Sequence, residues 1–300
     1  VGQYQQVAAK LEQNNQGDAM YILPYTPPYD WPWILGFLRD RAVTGIEQVG
    51  ENHYSRSLAL DGHQGIITVT PHAEKPALVV TLSDGLLPVA NLALAKVEQL
   101  LDLRLDPTAM LATLGELAAA RPGLRLPGCV DSFEQAIRAI LGQLVSVALA
   151  AKLTGKLAAA FGTPCAGHDG WLLFPDAATL ARLAPETVKT IGIPLQRAQA
   201  IVTLAQGCVA GTFPLVRPEN VELGVKALMT WPGIGRWTAN YYAMRGWQAP
   251  DVFLPDDYAI KQRFAGMTPA TIRRYATRWQ PWRAYALLHI WYSSGWQPVN

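Results

Sequence analysis

Trp231-Pro232-Gly233-Ile234-Gly235-Arg236-Trp237-Thr238-Ala239 is the stretch that decides the fold of the C-terminal part of this chain. It lies between two segments of helical pattern, 219–230 and 236–246. Pro232 cannot continue the first helix, and two glycines one residue apart permit a tight turn with positive φ. A second helix starts at once, so its unpaired N–H groups face whatever lies beyond the turn. That geometry binds anions, phosphate above all. With no side chain at Gly233 or Gly235, a phosphate backbone can come close. The plain alternative is an ordinary helical hairpin with a glycine turn.

Some twenty residues further on stands Phe253-Leu254-Pro255-Asp256-Asp257-Tyr258-Ala259-Ile260-Lys261. A proline followed by two aspartates before a helical pattern reads as an N-cap. It also reads as a carboxylate held ionised at a helix N-terminus and facing a cleft.

Outward from these two elements, residues 108–300 read almost wholly as helix. Asp131-Ser132-Phe133-Glu134 offers a cap before an apolar helix. Further helices are expected at 145–161, 176–183, 185–191, 195–210, 257–264, 269–278 and 281–294, with 162–175 as a loop. Residues 20–107 read differently. Asp30 caps a short helix opened by Trp31-Pro32-Trp33. Tyr54 to Leu60 and Gly65 to Thr70 are strand-like and joined through Asp61-Gly62, a hairpin signal. Ala77 to Leu82 is a third strand, and Pro88 opens a helix to about Asp102. The fold class is therefore α+β: an N-terminal antiparallel sheet domain, then helical domains.

Composition sets the outer bounds. The 300 residues are 50% hydrophobic and 16% charged, which excludes intrinsic disorder and allows a large core. No run of about 18 uninterrupted apolar residues is present, so no membrane span or membrane partner is expected. The greasiest window, 139–160, is broken by Gln143, Ser146, Lys152 and Lys156. Residues 1–19 lack a signal-peptide pattern and are set aside as an appended tail or disordered extension, with Met20 a candidate natural start. Cys129, Cys165 and Cys208 are too few and scattered for a disulfide framework or thiolate metal site, which suggests a reducing cytoplasm. The net charge of +2 hides an asymmetry. Residues 1–107 carry seven basic and twelve acidic side chains, whereas 108–300 carry eighteen and eleven. Seven of the ten tryptophans lie at or beyond Trp231. A basic, tryptophan-rich C-terminal third suits a polyanion and flat aromatic cargo, or a cationic surface over an aromatic core.

A glycine hairpin followed about twenty residues later by an aspartate opening a helix resembles the helix-hairpin-helix/Gly-Pro-Asp superfamily of DNA glycosylases. Leu126 to Glu134, Ala139 to Ser146, Trp231 to Asn240, Phe253 to Phe264 and Leu288 to Tyr292 together resemble one branch, the bacterial 3-methyladenine DNA glycosylase II family. The likeness runs from about Met20 to Pro298. It implies a helix-hairpin-helix over about 221–246 and a catalytic Asp257, since the family pattern Asp-x-x-Ile falls on Asp257 and Ile260. Asp256 is left as cap or support. It further implies that Trp237, Tyr241, Trp291, Phe37 and Tyr258 line a base pocket. Leu144 becomes an intercalating wedge, with Gln143 beside it on the DNA. Gly233, Ile234, Gly235, Arg236 and Thr238 would meet the backbone.

The resemblance also implies a monovalent cation, Na+ or K+, on the carbonyls of Met229, Trp231 and Ile234, and no other cofactor. Sister enzymes carry a lysine where Trp237 stands and an iron–sulfur cluster on four C-terminal cysteines. Here the last cysteine is Cys208. The implied activity is base removal from duplex DNA without strand cleavage, by a monomer. Alkylated purines suit such a pocket because they are cationic and good leaving groups. Three other readings stay open on residues alone: a glycosylase for other damaged or mismatched bases, a non-catalytic DNA-binding protein, and a small-molecule binder. Apart from the resemblance, Leu144 and the aromatics also read as core.

Overall fold

The computed structural model describes residues 9–13 and 19–299. Six antiparallel strands form one sheet: β1 (Ala9–Gln13), β2 (Ala19–Pro24), β3 (Glu47–Val49), β4 (Tyr54–Leu60), β5 (His63–Pro71) and β6 (Ala77–Leu82). Their spatial order is β1-β2-β6-β5-β4-β3. The β4–β5 turn has positive φ at both Asp61 and Gly62, the geometry that matches strand twist in a two-residue hairpin. β1 corrects the expectation that residues 1–19 stand apart from the fold. Ala9–Gln13 pairs antiparallel with β2 as an edge strand, with a register shift between Lys10 and Gln13. The remainder of that segment up to Asp18 lies outside the described residues.

Helix α1 (Trp31–Asp40) starts where Asp30 accepts a hydrogen bond from the Trp33 N–H at 3.0 Å. It buries Trp31, Ile34, Leu35 and Phe37. Pro88 does not open a helix; it sits inside a 3-10 turn over Asp84–Val89, and α2 (Ala90–Leu101) follows. The remaining helices are α3 (Thr108–Leu114), α4 (Glu116–Ala119), α5 (Ser132–Leu141), α6 (Val147–Phe161), α7 (Ala177–Ala181), α8 (Pro185–Lys189), α9 (Leu195–Ala210), α10 (Val221–Leu228), α11 (Arg236–Arg245), α12 (Tyr258–Arg263), α13 (Pro269–Ala276) and α14 (Arg283–Trp291). Among the described residues no helix is long and apolar enough to cross a membrane. The expected loop at 162–175 contains a small ribbon, β7 (Thr163–Pro164) with β8 (Leu172–Leu173).

β4 is buried from Tyr54 through Leu58 because the helical part docks on it. Ser57 donates a hydrogen bond to the Leu172 carbonyl. The join is ionic as well. Arg56 grips Glu134 with two parallel bonds, 2.8 and 3.0 Å. Arg138 reaches Glu47 at 2.6 Å and Glu134 at 3.2 Å, and Tyr54 donates its hydroxyl to Glu47. Burial opposes ionisation of Glu134, yet Arg56 and Arg138 bring its pKa down to about 2.

The pKa is lower in the folded than in the unfolded chain. The stability it contributes is therefore present above the ordinary carboxylate range and lost as pH falls toward 2. Glu134→Gln strands a buried guanidinium, so urea unfolding at pH 7 should show a loss of about 3–5 kcal/mol. That gap should narrow as the pH falls through the same range.

Candidate active site

α11 carries Trp237, Tyr241 and Arg245 at four-residue spacing on one face. Trp237 and Tyr241 stack with centroids 4.9 Å apart and planes 6° from parallel. Together with Trp291 and Tyr292 from the end of α14 they form one side of a cavity of about 420 Å³. Val147, Ala150 and Ala151 of α6 also line it, as do Gln135 and Arg138 of α5 and Arg41 from the sheet domain. Asp257 opens into this cavity.

Asp257 is the N-cap of α12 and accepts from the Ile260 N–H at 3.1 Å. It also does more than cap. Its Oδ1 accepts from the Trp237 indole N–H at 3.1 Å, and its Oδ2 accepts from the Trp291 indole N–H at 2.9 Å. Three donors from three elements therefore fix the carboxylate, and one lone pair of Oδ1 remains uncommitted. Asp256 points elsewhere, toward Arg236 at 3.6 Å.

The opposite end of the cavity is cationic. Arg245 is buried and donates to the carbonyls of Pro127 and Gly128, and to the Tyr241 hydroxyl at 3.3 Å. Arg41 lies 3.6 Å and Arg245 4.9 Å from the centre of the Phe37 ring. Burial works against ionisation of the Tyr241 phenol, but Arg245 and Arg41 outweigh it and hold its pKa below the usual value. His289, the one histidine past residue 168, is buried. Burial first, then Arg121, push its pKa down to about 4, so it is neutral and outside the chemistry at neutral pH.

Two residues assigned to the pocket by resemblance lie elsewhere. Tyr258 is 76% exposed and accepts from the Gln262 side chain, because a residue one past the cap turns about 100° away from it. Phe37 is 2% exposed and packs against Trp33 and Tyr292 behind the cavity wall, where the two guanidiniums cover it. Conversely, sequence reasoning missed Arg41, Arg245 and Tyr292. Arg245 continues the four-residue spacing of Trp237 and Tyr241, and Tyr292 follows Trp291, so both had a local signal. Arg41 had none, because it arrives from the other domain.

The hairpin joins α10 to α11. Gly233 has φ +77, and a Cβ there would meet the Ala200 Cβ at 2.5 Å, so both backbone and packing require glycine. Gly235 caps α11 without a side chain, and a Cβ on it would meet nothing. The first N–H groups of α11 are therefore open to the outside. Ile234 and Thr238 are buried, so only their backbone can face a ligand at the turn. The Gln143 amide donates to the Gly233 carbonyl at 2.7 Å and to the Thr238 hydroxyl at 2.8 Å. It thereby fastens the α5–α6 loop to the hairpin, which leaves its own oxygen for anything outside. Next to it Leu144 is 100% exposed with φ +57. A leucine held in the left-handed region with no neighbour is a cost that the fold does not require.

Residues 20–131 match the family model of the AlkA N-terminal domain, and residues 137–282 match that of the HhH-GPD superfamily base excision DNA repair protein. DNA-3-methyladenine glycosylase 2 of Escherichia coli (strain K12) is 56% identical over 279 residues, covering 93% of this chain and 99% of that one. A DNA-3-methyladenine glycosylase of Bacillus subtilis (strain 168) is 25% identical over 278 residues, covering 86% and 91%. Among solved structures, the 3-methyladenine DNA-glycosylase from Archaeoglobus fulgidus superposes with a TM-score of 0.75 over 90% of this chain and 96% of that one. At 19% identity this is a likeness of fold.

Proposed function

The chain belongs to the HhH-GPD superfamily of base excision DNA repair proteins, and from that premise we propose that it is a DNA-3-methyladenine glycosylase releasing alkylated purines from duplex DNA. The observation that carries this reading is the Asp257 carboxylate, clamped by two indole N–H groups on the wall of an aromatic cavity.

The base must leave the stack before its sugar bond can be reached. Leu144 enters the gap it leaves, as apolar wedges do when they kink DNA. The hairpin amides around Gly233 to Arg236 hold the backbone at the anion-binding end of α11. The extruded base lies against Trp237, Tyr241 and Trp291, whose π-faces attract a cationic alkylated purine by about 0.5–2 kcal/mol. Its glycosidic bond breaks with the electron pair going to the base, which neutralises the base's own charge. Positive charge then develops on the sugar, and Asp257 stabilises it. Water adds to the sugar carbon and gives up its proton to solvent. Trp237 bears no amine, so no Schiff base forms and the abasic strand stays uncut.

The carbonyls of Met229, Trp231 and Ile234 are hard oxygen donors: Met229 caps the C-terminal end of α10, where the helix dipole is negative, Trp231 follows two residues on, and Ile234 stands just before the N-cap of α11. As donor chemistry they suit Na+ or K+, although the Trp231 carbonyl already accepts from the Ile234 N–H at 3.2 Å. Such an ion would supply positive charge toward a phosphate. The protein works as a monomer and without an iron–sulfur cluster.

The test is incubation with methylated duplex DNA. Release of 3-methyladenine and 7-methylguanine is expected, with strand breaks only after alkali. No release of any alkylated base, or breaks without alkali, would count against the reading.

A further inference from the structure

α11 presents two working faces. Trp237, Tyr241 and Arg245 turn toward the cavity, whereas Arg236 and Asn240, each one position earlier, line a second depression of about 840 Å³. The loop before α12 divides the two in the same way, with Pro255 on the groove and Asp257 on the cavity. The groove and the cavity therefore lie on different faces of α11, about 100° apart around the helix. It begins at the hairpin, since Met229 before the turn and Arg236 after it belong to its wall.

The floor of the groove is apolar: Val225, Val252 and Phe253 are buried there. Its rims are cationic. Lys226 of α10 stands on one side, and Arg273 and Arg274 of α13 stand on the other, all three exposed. None of the three forms an ion pair among the described residues. The groove is lined by five basic side chains, Lys226, Arg236, Arg273, Arg274 and Arg283, against two carboxylates: Asp251, spent on Arg283 at 2.9 Å, and the exposed Glu222, one turn before Lys226 on α10. Favourable placement in the last turn of α13 accounts for two of the cations. The last turn of α10 does the same for Lys226, but neither placement requires that all three cations line one depression.

We propose that this groove is a second phosphate-binding surface, occupied by the backbone of the same duplex on the flank beyond the hairpin, with Lys226, Arg273 and Arg274 as its contacts. The inference rests on the DNA glycosylase reading. Continuity favours DNA backbone over an acidic peptide. α10 and α11 carry both the anion-binding turn and one wall of the groove, so a strand held at Gly233 to Gly235 runs on toward Lys226. Cations on exposed rims neutralise phosphates without reading bases, which suits a protein that must survey any sequence.

The experiment compares the parent with a Lys226→Gln/Arg273→Gln/Arg274→Gln variant, which changes only exposed side chains. Binding to a methylated duplex is measured across salt concentrations. Each phosphate contact contributes about 0.9 to the slope of log affinity against log salt, so the variant's slope should be shallower by about 2.7. Between 50 and 200 mM salt the variant should therefore lose about 40-fold less affinity than the parent. Base release from the saturated complex should be unchanged. Trimming the duplex on one side of the lesion, and not the other, should reproduce the shallower slope in the parent.

Equal slopes for parent and variant would overturn the proposal. So would equal slopes combined with binding of a polyglutamate peptide by the parent and not by the variant, which would assign the groove to an acidic protein. A parent that releases no methylated purine contradicts the glycosylase reading instead. That failure shows in the base assay, separately from any slope.

Discussion

Asp257→Asn should lower single-turnover release of 7-methylguanine by at least about 100-fold, the scale on which an enzyme loses a preorganised charge aimed at its transition state. Binding to undamaged duplex should stay within about twofold, because the anion-binding amides lie at the hairpin. Several features make this variant a clean probe. Asparagine is a good N-cap, so the Ile260 N–H keeps its acceptor and α12 keeps its start. The side chain keeps its volume. What changes is the charge, together with one of the two indole bonds, since an amide nitrogen cannot accept from Trp237 or Trp291. Near-normal release would remove Asp257 from the chemistry.

Leu144→Gly should move stability and activity apart. The side chain is fully exposed, so no burial is lost, and its positive φ is one that glycine adopts freely. Relief of that strain and the added freedom of the unfolded chain nearly cancel, so urea unfolding should shift by no more than about 1 kcal/mol. Base release should nevertheless fall about 10- to 100-fold. The unstacked step left by an extruded base costs a few kcal/mol when nothing fills it. On an unpaired lesion in single-stranded DNA, where there is no stack to fill, the deficit should shrink. A variant that is as active as the parent on duplex would return Leu144 to the status of a surface leucine.

Local features of the chain were readable wherever a local cause set them. The Asp61-Gly62 turn, the Asp30, Asp131 and Asp257 caps and the helix at 195–210 each follow from residues within one turn of one another. β1 was not readable, because edge pairing needs only a partner strand and β2 supplies it. The ribbon β7–β8 was missed for the same reason, since two residues per strand leave no periodicity.

The site divides in the same way. Trp237, Tyr241 and Asp257 announce themselves by spacing along one helix and by a cap. Their joint geometry does not, because the Trp291 indole reaches Asp257 from 34 residues away. Arg41 comes from the sheet domain, and only the packing of α1 against Tyr292 and Arg245 places it. Tyr258 and Phe37 were assigned by resemblance. The direction in which each side chain leaves its helix is what separates them from the cavity.

The central claim is that the Asp257 carboxylate faces a sugar that becomes positively charged. It is tested most directly by measuring affinity for two duplexes that differ at one position, a cationic pyrrolidine in place of the sugar or its neutral tetrahydrofuran counterpart. Transition-state analogues bind at least about 100-fold more tightly than substrates, and the cationic ring carries the charge that the transition state develops whereas the neutral ring does not. The parent should show that preference, and Asp257→Asn should bind the two duplexes alike. Equal affinity of the parent for both would contradict the account.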